Sequence, residues 1–259
     1  MSSSSIGNQF EELIRIVERL RGPDGCPWDK EQTSSSLISY LLEETYEVIE
    51  AIDEKNWDGL KEEIGDLMLH MVFQATIAKE DELFDISESL KNINEKLIRR
   101  HPHVFDKKNL VKDSIKPNWE LEKHKEKKRN SRLDGVPQNL PGLIRAQRIQ
   151  EKASYVGFDF QKEEEIWNKI LEELEELKDA QQNNNKDEIL EEIGDAIFSL
   201  TNLARFLGVS ADDALRKSNN KFISRFKKIE NELKGKGKKI EESSLNEMDQ
   251  IWNAIKKKE

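Results

Sequence analysis

The chain has 259 residues, with 42 basic and 52 acidic side chains and a net charge of −10. This charge disfavours nucleic acid as the main partner, because phosphate backbones are held by basic side chains. Charged and apolar residues each make up 36% of the chain, and the apolar residues recur at a helical period, which predicts folded helices and disfavours disorder.

Cysteine content and terminal sequence indicate the compartment. Cys26 is the only cysteine, so no internal disulfide can form, which is typical of a reducing cytosol. The first residues, Met-Ser-Ser-Ser-Ser, lack the basic and apolar regions of a signal peptide. The most apolar run, 67–78, is too short to cross a bilayer. We therefore expect a cytoplasmic protein with no membrane partner.

Helical periodicity dominates the first hundred residues, and no strand pattern of useful length is found. A loop begins at residue 22, where two prolines and two glycines fall within six residues and interrupt the helical pattern. The helices predicted around this loop and after it cover 9–21, 35–54, 57–79 and 86–100.

The middle of the chain has a different character. Residues 101–141 hold four of the six prolines, which is typical of a connector. We predict one solvated helix there, at 118–130, and a short amphipathic helix with Trp252 at the end of the chain, around 247–257. We divide the chain into an N-terminal unit (1–105), a connector (106–142) and a C-terminal unit (143–259).

The C-terminal unit repeats the N-terminal one. Leu143-Ile144-Arg145 matches Leu13-Ile14-Arg15 at an offset of 130, and 172–204 matches 43–75 at an offset of 129 without a gap. A further match at an offset of 125 relates 219–225 to 94–100. A repeat of this length predicts two related helical domains.

Each repeat carries the motif E-E-x-x-E and, after a gap of 15 residues, E-I-G-D. On helical projections the acids flank the apolar stripes on the same side, so an antiparallel hairpin brings four carboxylates to one seam. The N-terminal set is Glu44, Glu47, Glu63 and Asp66; the C-terminal set is Glu173, Glu176, Glu192 and Asp195. We expect Gly65 and Gly194, inside these helices, to permit close helix approach.

Four like charges on one seam repel one another, and partial burial strengthens the repulsion. A set of ligands made only of oxygen atoms suits a hard divalent cation such as Mg²⁺ or Mn²⁺, and such carboxylate sites usually handle phosphates. Di-iron bundles use Glu-x-x-His pairs, which this sequence lacks. A solvated acidic face is the alternative, but the acids border apolar stripes and keep their spacing through the duplication.

Basic side chains also recur in register. Lys96 and Arg100 match Lys221 and Arg225 at the same i, i+4 spacing, and we expect them to contact phosphate. Lys169 lies one turn before Glu173 and extends this set in the C-terminal unit only, because Tyr40 stands at the matching N-terminal position.

Other residues have weaker assignments. His70 has Ser199 as its counterpart, so we assign it a packing or supporting role and no metal bond. Some aromatic residues can stack on a base, although such side chains are more often part of a core. They are Trp28, Phe158, Trp167 and Trp252.

These residues resemble the MazG family of nucleoside triphosphate pyrophosphohydrolases in its long, two-domain form. The resemblance covers nearly the whole chain and includes both acidic motifs. Its most specific strings are Gly25-Cys26-Pro27-Trp28-Asp29-Lys30-Glu31-Gln32-Thr33, Leu42-Glu43-Glu44-Thr45-Tyr46-Glu47 and Arg99-Arg100-His101-Pro102-His103-Val104-Phe105.

The resemblance implies an all-α fold in which four-helix units pair into homodimers. It also implies Mg²⁺-dependent cleavage between the α- and β-phosphates of a nucleoside triphosphate, giving a monophosphate and pyrophosphate. The main site is expected in the C-terminal unit, with the four C-terminal acids as metal ligands, Glu173 and Glu192 as catalytic residues, and Lys169, Lys221 and Arg225 as substrate ligands. From the repeated residues, we expect the N-terminal acids, with Lys96 and Arg100, to form a second site.

An alternative from another functional class, a non-catalytic binding protein, stays open. The helical surface of one or both units would then sense nucleotides or dock a partner without catalysis. Base preference, and the identity of the acid that acts as the base, also stay open.

Overall fold

The structure is a computed structural model, and it describes residues 5–105 and 130–257. Within these ranges every regular element is helical, so the predicted all-α class is confirmed. The described residues form two compact units. The helices of the first unit are α1 (Ile6–Arg21), α2 (Pro27–Glu31), α3 (Ile38–Glu54), α4 (Trp57–Glu80), α5 (Ile86–Arg100) and α6 (Pro102–Phe105).

The second unit repeats the long hairpin of the first and adds a terminal helix pair. Its helices are α7 (Gly142–Ser154), α8 (Glu163–Gln182), α9 (Lys186–Phe206), α10 (Ala211–Gly235) and α11 (Leu245–Lys256), with a short 3₁₀ helix at Ile240–Glu242. The solvated helix predicted at 118–130 falls almost wholly outside the described residues, as does most of the predicted connector. No helix in the described ranges is both long and apolar enough to span a bilayer.

The predicted start of α3 at residue 35 is three residues early. Thr33 N donates to Ser36 Oγ at 2.9 Å, and Ser36 N donates to Thr33 Oγ1 at 3.1 Å. These reciprocal bonds hold the backbone in a turn, because short hydroxyl side chains compete with the helical hydrogen-bond pattern. The regular helix therefore begins only at Ile38.

Tight, asparagine-capped turns close both long hairpins. In α3–α4, Lys55 adopts a left-handed conformation and Asn56 Oδ1 accepts a hydrogen bond from Gly59 N at 3.0 Å. In α8–α9, Asn184 takes the left-handed conformation and Asn185 accepts bonds from two backbone amides. A left-handed residue ends one helix and the asparagine side chain begins the next, so both turns fix the register of the hairpin.

Each unit has its own core. In the first unit, α1 packs against α4 through Val17, Val72, Phe73 and Ile77, with Leu37 beside them. In the second unit, the hairpin core contains Ile166, Ile170 and Leu203. A separate cluster joins α10 to α11 through Ile229, Leu233 and Ile251, with Trp252 against it.

The α10–α11 cluster gives a stability prediction. Leu233 is 0% exposed, and its replacement by Ala leaves a cavity that typically costs about 2–5 kcal/mol. We expect Leu233→Ala to lower the free energy of unfolding by that amount, as measured by urea titration with tryptophan fluorescence. Leu245→Ala is the matched control, because Leu245 is 78% exposed and the expected change is below about 0.5 kcal/mol. Equal losses in the two variants would contradict this account of the core.

Candidate metal centre

The C-terminal hairpin gathers the acids that the repeat motif predicts. Glu173 and Glu176 stand one turn apart on α8, and Glu192 faces them from α9. One carboxylate oxygen of each lies within 4.8 Å of the others. Asp195, one turn beyond Glu192, lines the same pocket as Glu173. Their assignment as metal ligands stays a prediction.

The N-terminal hairpin forms an equivalent cluster. Carboxylate oxygens of Glu44, Glu63 and Asp66 also lie within 4.8 Å of one another, and Glu47 shares a hydrogen bond with Glu44. All four predicted acids of this unit therefore meet on one seam, as the helical projections require.

The crowding of carboxylates changes their protonation. Burial raises the pKa of Glu44 to about 7, with further contributions from the charges of Asp66, Glu47 and Glu63. Burial also raises the pKa of Glu192, and the charges of Glu176 and Glu173 add to it. Negative charge is thus in excess at both seams, and a hard divalent cation fits this set of oxygen donors.

Lys169 distinguishes the C-terminal site. Its Nζ lies 2.8 Å from Glu172 Oε1 and 2.8 Å from Glu173 Oε1, and Glu173 itself is buried. Hydrogen bonds to Glu172 and Glu173 raise the pKa of the Lys169 ammonium. Glu172, which is not one of the four predicted metal ligands, therefore helps to hold Lys169 in position. In the N-terminal unit the matching Tyr40 packs edge-on against Trp28, with ring centroids 6.0 Å apart.

The predicted phosphate ligands on α10 lie in aromatic surroundings. The Arg225 guanidinium is 5.2 Å from the centroid of the Trp252 ring, and that ring is 5.3 Å from Phe222. Lys221 is exposed one turn earlier on the same helix. In the first unit, Lys96 is half-buried and Arg100 is buried on α5. The phosphate role of these four residues stays a prediction.

Two expectations about the hairpins have different outcomes. His70 is buried on α4, and burial lowers the pKa of its imidazole, in keeping with a packing or supporting role. The expectation for Gly65 and Gly194 is wrong within the described chain, because a Cβ at either position would meet no atom within 4 Å. Both glycines lie on open helix surface, and no helix in the described part of the chain requires them.

A pocket of about 680 Å³ adjoins the C-terminal acids, and sequence reasoning missed most of it. Lys169, Glu173 and Asp195 line it beside aromatic and amide side chains. Asp159 and Arg205 form a bidentate ion pair in its wall, with Nη1 and Oδ2 3.1 Å apart. The other named wall residues are Leu133, Ile149, Gln150, Ala153, Gly157, Phe158, Phe160, Phe198, Ser199 and Asn202.

A buried lysine ties the start of the second unit to this pocket. Lys152 Nζ donates to the backbone carbonyls of Arg132 and Asp134, at 3.3 Å each. Leu133, between these two residues, lines the pocket. The segment before α7 is therefore part of the pocket wall.

Apart from Lys169 and the acids, one signal in the sequence pointed to this pocket. Phe158-Asp159 matches Trp28-Asp29 across the repeat, but the amides Gln150 and Asn202 have no recurring partner. Leu20 stands at the position of Gln150, and Phe73 at that of Asn202. A search for repeated residues cannot find positions at which the two copies have diverged.

These features define an all-α protein of two related units, each with carboxylates gathered on a helical hairpin. The MazG nucleotide pyrophosphohydrolase domain family matches the chain twice, over residues 32–105 and 161–229. The chain belongs to this family, as the sequence resemblance predicted.

Curated relatives extend the match over nearly the full length. The nucleoside triphosphate pyrophosphohydrolase/pyrophosphatase MazG of Thermotoga maritima is 48% identical over 252 residues, which is 96% of each chain. The nucleoside triphosphate pyrophosphohydrolase of Escherichia coli K12 is 40% identical, over 97% of this chain and 98% of its own. An uncharacterized Bacillus subtilis protein, YabN, is 41% identical over 97% of this chain and 52% of its own length.

The raised pKa of Glu44 predicts a pH-dependent stability. Between the ordinary value of 4.5 and about 7 the folded protein holds a proton that the unfolded chain releases, so stability decreases as pH rises through this window. We expect Glu44→Gln to raise the unfolding temperature of the metal-free protein at pH 8 and to leave it unchanged at pH 4.5, as measured by calorimetry.

Glu43→Gln is the control for this prediction, because the neighbouring Glu43 is exposed and its loss is expected to have no effect at either pH. Excess Mg²⁺ should reverse the difference at pH 8, since only the intact cluster is stabilised by the ion. A Glu44→Gln protein that is less stable than the wild type in metal-free buffer at pH 8 would refute the assigned repulsion.

Proposed function

We propose that this protein hydrolyses nucleoside triphosphates to monophosphates and pyrophosphate, with its main active site in the C-terminal unit. The supporting observation is the open pocket beside Glu173 and Asp195, next to a lysine that the N-terminal copy lacks. Family membership and the names of the full-length relatives support the same reaction.

The acids fit a divalent metal, for which we propose Mg²⁺, with Mn²⁺ as a substitute. Glu173, Glu176, Glu192 and Asp195 would hold it, since oxygens of the first three lie within 4.8 Å of one another and the charge of Asp195 also acts on Glu192. When bound, the ion neutralises phosphate charge and supports the departure of pyrophosphate.

The protein residues bind the triphosphate and activate water. Lys169 Nζ, between Glu172 and Glu173, is placed to exchange one carboxylate partner for a phosphate oxygen. Lys221 and Arg225 stabilise the charge that develops on the leaving pyrophosphate. Glu173 and Glu192 orient the attacking water, and a carboxylate oxygen of the pair accepts its proton as the new P–O bond forms and the bond to the leaving group breaks.

The N-terminal unit is proposed as the less active site. Its four acids meet on one seam, but Tyr40 replaces the lysine and is occupied by its contact with Trp28. The core residue Phe73 also stands where the C-terminal pocket has Asn202. This unit is therefore suited to hold a metal but has less provision for a nucleotide.

We propose that the protein forms a homodimer in the cytoplasm. The α9 helix presents an exposed stripe at helical spacing, formed by Leu190, Ile193, Ile197 and Leu200. Contiguous apolar surface of this kind usually marks an interface. The same period recurs on α4, where Ile64, Met68 and Met71 are exposed. The lone Cys26 agrees with a reducing compartment.

Product analysis tests the reaction type. Purified protein with Mg²⁺ and a mixed panel of nucleoside triphosphates should release monophosphate and pyrophosphate in equal amounts. Diphosphate and orthophosphate as products would overturn the proposed bond cleavage. Tight binding without turnover would favour the non-catalytic alternative, a nucleotide-sensing protein.

Matched variants test the placement of the site. Partners that only support a metal ligand typically contribute about 10–100-fold to activity, so loss of a ligand should cost at least about 100-fold. We expect that loss in kcat for Glu192→Gln. Glu63→Gln, the same change at the matching N-terminal position, should retain most of the turnover. Equal losses from the two variants would exclude a C-terminal main site.

The dimer prediction concerns the α9 stripe. Ile197→Asp places a charge in the exposed apolar stripe, where burial would leave it unpaired, and should convert dimers into monomers in analytical ultracentrifugation. The control is Glu188→Lys, because Glu188 is exposed on the opposite side of the same helix and this variant should stay dimeric. A wild-type protein that sediments as a monomer at micromolar concentration would contradict the proposal.

A further inference from the structure

Gln150 brings an unsatisfied hydrogen-bond acceptor to the wall of the C-terminal pocket. The residue lies on α7 and is 7% exposed. Its Nε2 donates to the backbone carbonyl of Phe198 at 2.9 Å. A carbonyl oxygen can only accept, so this contact fixes which end of the amide is nitrogen. Within the described chain, Gln150 Oε1 has no hydrogen-bond partner, which is rare for a buried polar atom.

Asn202 brings a donor to the same wall. Arg205 Nε donates to Asn202 Oδ1 at 2.9 Å, and Asp159 holds Arg205 in turn. The amide orientation of Asn202 is therefore also fixed, and its Nδ2 is the end not engaged by Arg205. The two amides together offer one acceptor and one donor.

The amides are separated from the acids along a single helix. Asp195, Ser199 and Asn202 follow one another at helical spacing on α9 and all line the pocket. Asn202 follows Asp195 by seven positions, which is about 10 Å along a helix. This distance leaves room for a sugar between a phosphate at the acids and a base at the amides. Phe158 and Phe160 add aromatic surface to the same pocket, which suits a planar ring.

We propose that this pocket binds the base of the substrate and that Gln150 and Asn202 select it by hydrogen bonding. Gln150 Oε1 accepts from an N–H group of the base, and Asn202 Nδ2 donates to a neighbouring ring nitrogen or carbonyl. The inference rests on the proposed function, because it names the substrate class of that same site. The favoured substrates are nucleotides whose base presents a donor beside an acceptor.

A base without an N–H donor should be rejected. Such a base leaves the buried acceptor of Gln150 unpaired, and sites built to receive a hydrogen bond discriminate strongly against ligands that lack it. The N-terminal unit has no such pair, because Leu20 and Phe73 stand at the matching positions. Base selection is therefore confined to the C-terminal unit.

The test compares natural nucleotides with donor-free counterparts. Purine riboside triphosphate and 2-pyrimidinone riboside triphosphate lack the N–H groups of the natural bases but keep ring acceptors. We expect kcat/KM of the wild type to favour the best natural purine or pyrimidine substrate over its donor-free counterpart by at least about tenfold. A wild type that does not discriminate overturns the inference by itself.

Variants then assign the discrimination to Gln150. Gln150→Leu introduces the residue of the N-terminal copy, and Gln150→Met keeps the length of the side chain if the shorter residue impairs folding. Either change should lower kcat/KM for the natural substrate and so reduce the selectivity to less than about threefold. Retention of the wild-type selectivity in a folded Gln150 variant would overturn the role of this residue.

Gln147→Leu is the matched control. Gln147 lies one turn earlier on α7 and its Oε1 accepts a hydrogen bond from Ala211 N at 3.0 Å, but it does not line the pocket. This variant should lose stability and keep the wild-type selectivity.

Equilibrium binding separates this inference from the proposed hydrolysis. Calorimetric titration with α,β-methylene analogues of ATP and of purine riboside triphosphate gives the same comparison without bond cleavage. Selective binding by the wild type, lost in Gln150→Leu, with no turnover of any nucleotide would refute hydrolysis and retain base recognition. Turnover with no selectivity in either assay would retain hydrolysis and refute base recognition.

Discussion

Repulsion among four carboxylates is the constraint on which both units of this protein depend. The acids come from two helices that must run side by side in one register, so the hairpin turn determines whether they meet. A left-handed residue followed by a capping asparagine closes each hairpin, and a slip of one residue would turn the acids away from the seam. The pKa of Glu44, raised to about 7 by burial and by the charges of the neighbouring acids, records the electrostatic cost of this arrangement.

The two copies show how a duplicated site can diverge. Both retain the seam of acids, but in the first unit Phe73 and its neighbours make a closed core, whereas in the second unit amides and an ion pair line an open pocket. Lys169, which forms an ion pair with Glu173, likewise has no lysine counterpart in the first unit, where Tyr40 stands at the matching position. The acids therefore belong to the shared hairpin, while the pocket with Gln150, Asn202 and the Asp159–Arg205 ion pair is a feature of the C-terminal unit.

Local patterns in the sequence predicted the parts of the structure that depend on local interactions. Apolar periodicity located the long helices, and the repeat located the acids, because carboxylates that keep their spacing beside an apolar stripe in both copies are expected to face the partner helix. The pocket depended on contacts between distant residues, such as Gln150 with Phe198 and Asp159 with Arg205, which no spacing encodes. The role expected of Gly65 and Gly194 was wrong because glycine in a helix does not itself show whether a neighbour lies nearby.

The hydrogen bonds of the buried Lys152 ammonium show that the second unit begins before its first helix. Its hydrogen bonds to the carbonyls of Arg132 and Asp134 place Leu133 in the wall of the pocket, well before the first helix of that unit at Gly142. A fragment that begins at Gly142 would keep every acid of the motif but would lose Leu133 and so part of the pocket wall. The proline-rich stretch between the repeats thus does more than tether two domains, since its final residues are a structural component of the second one.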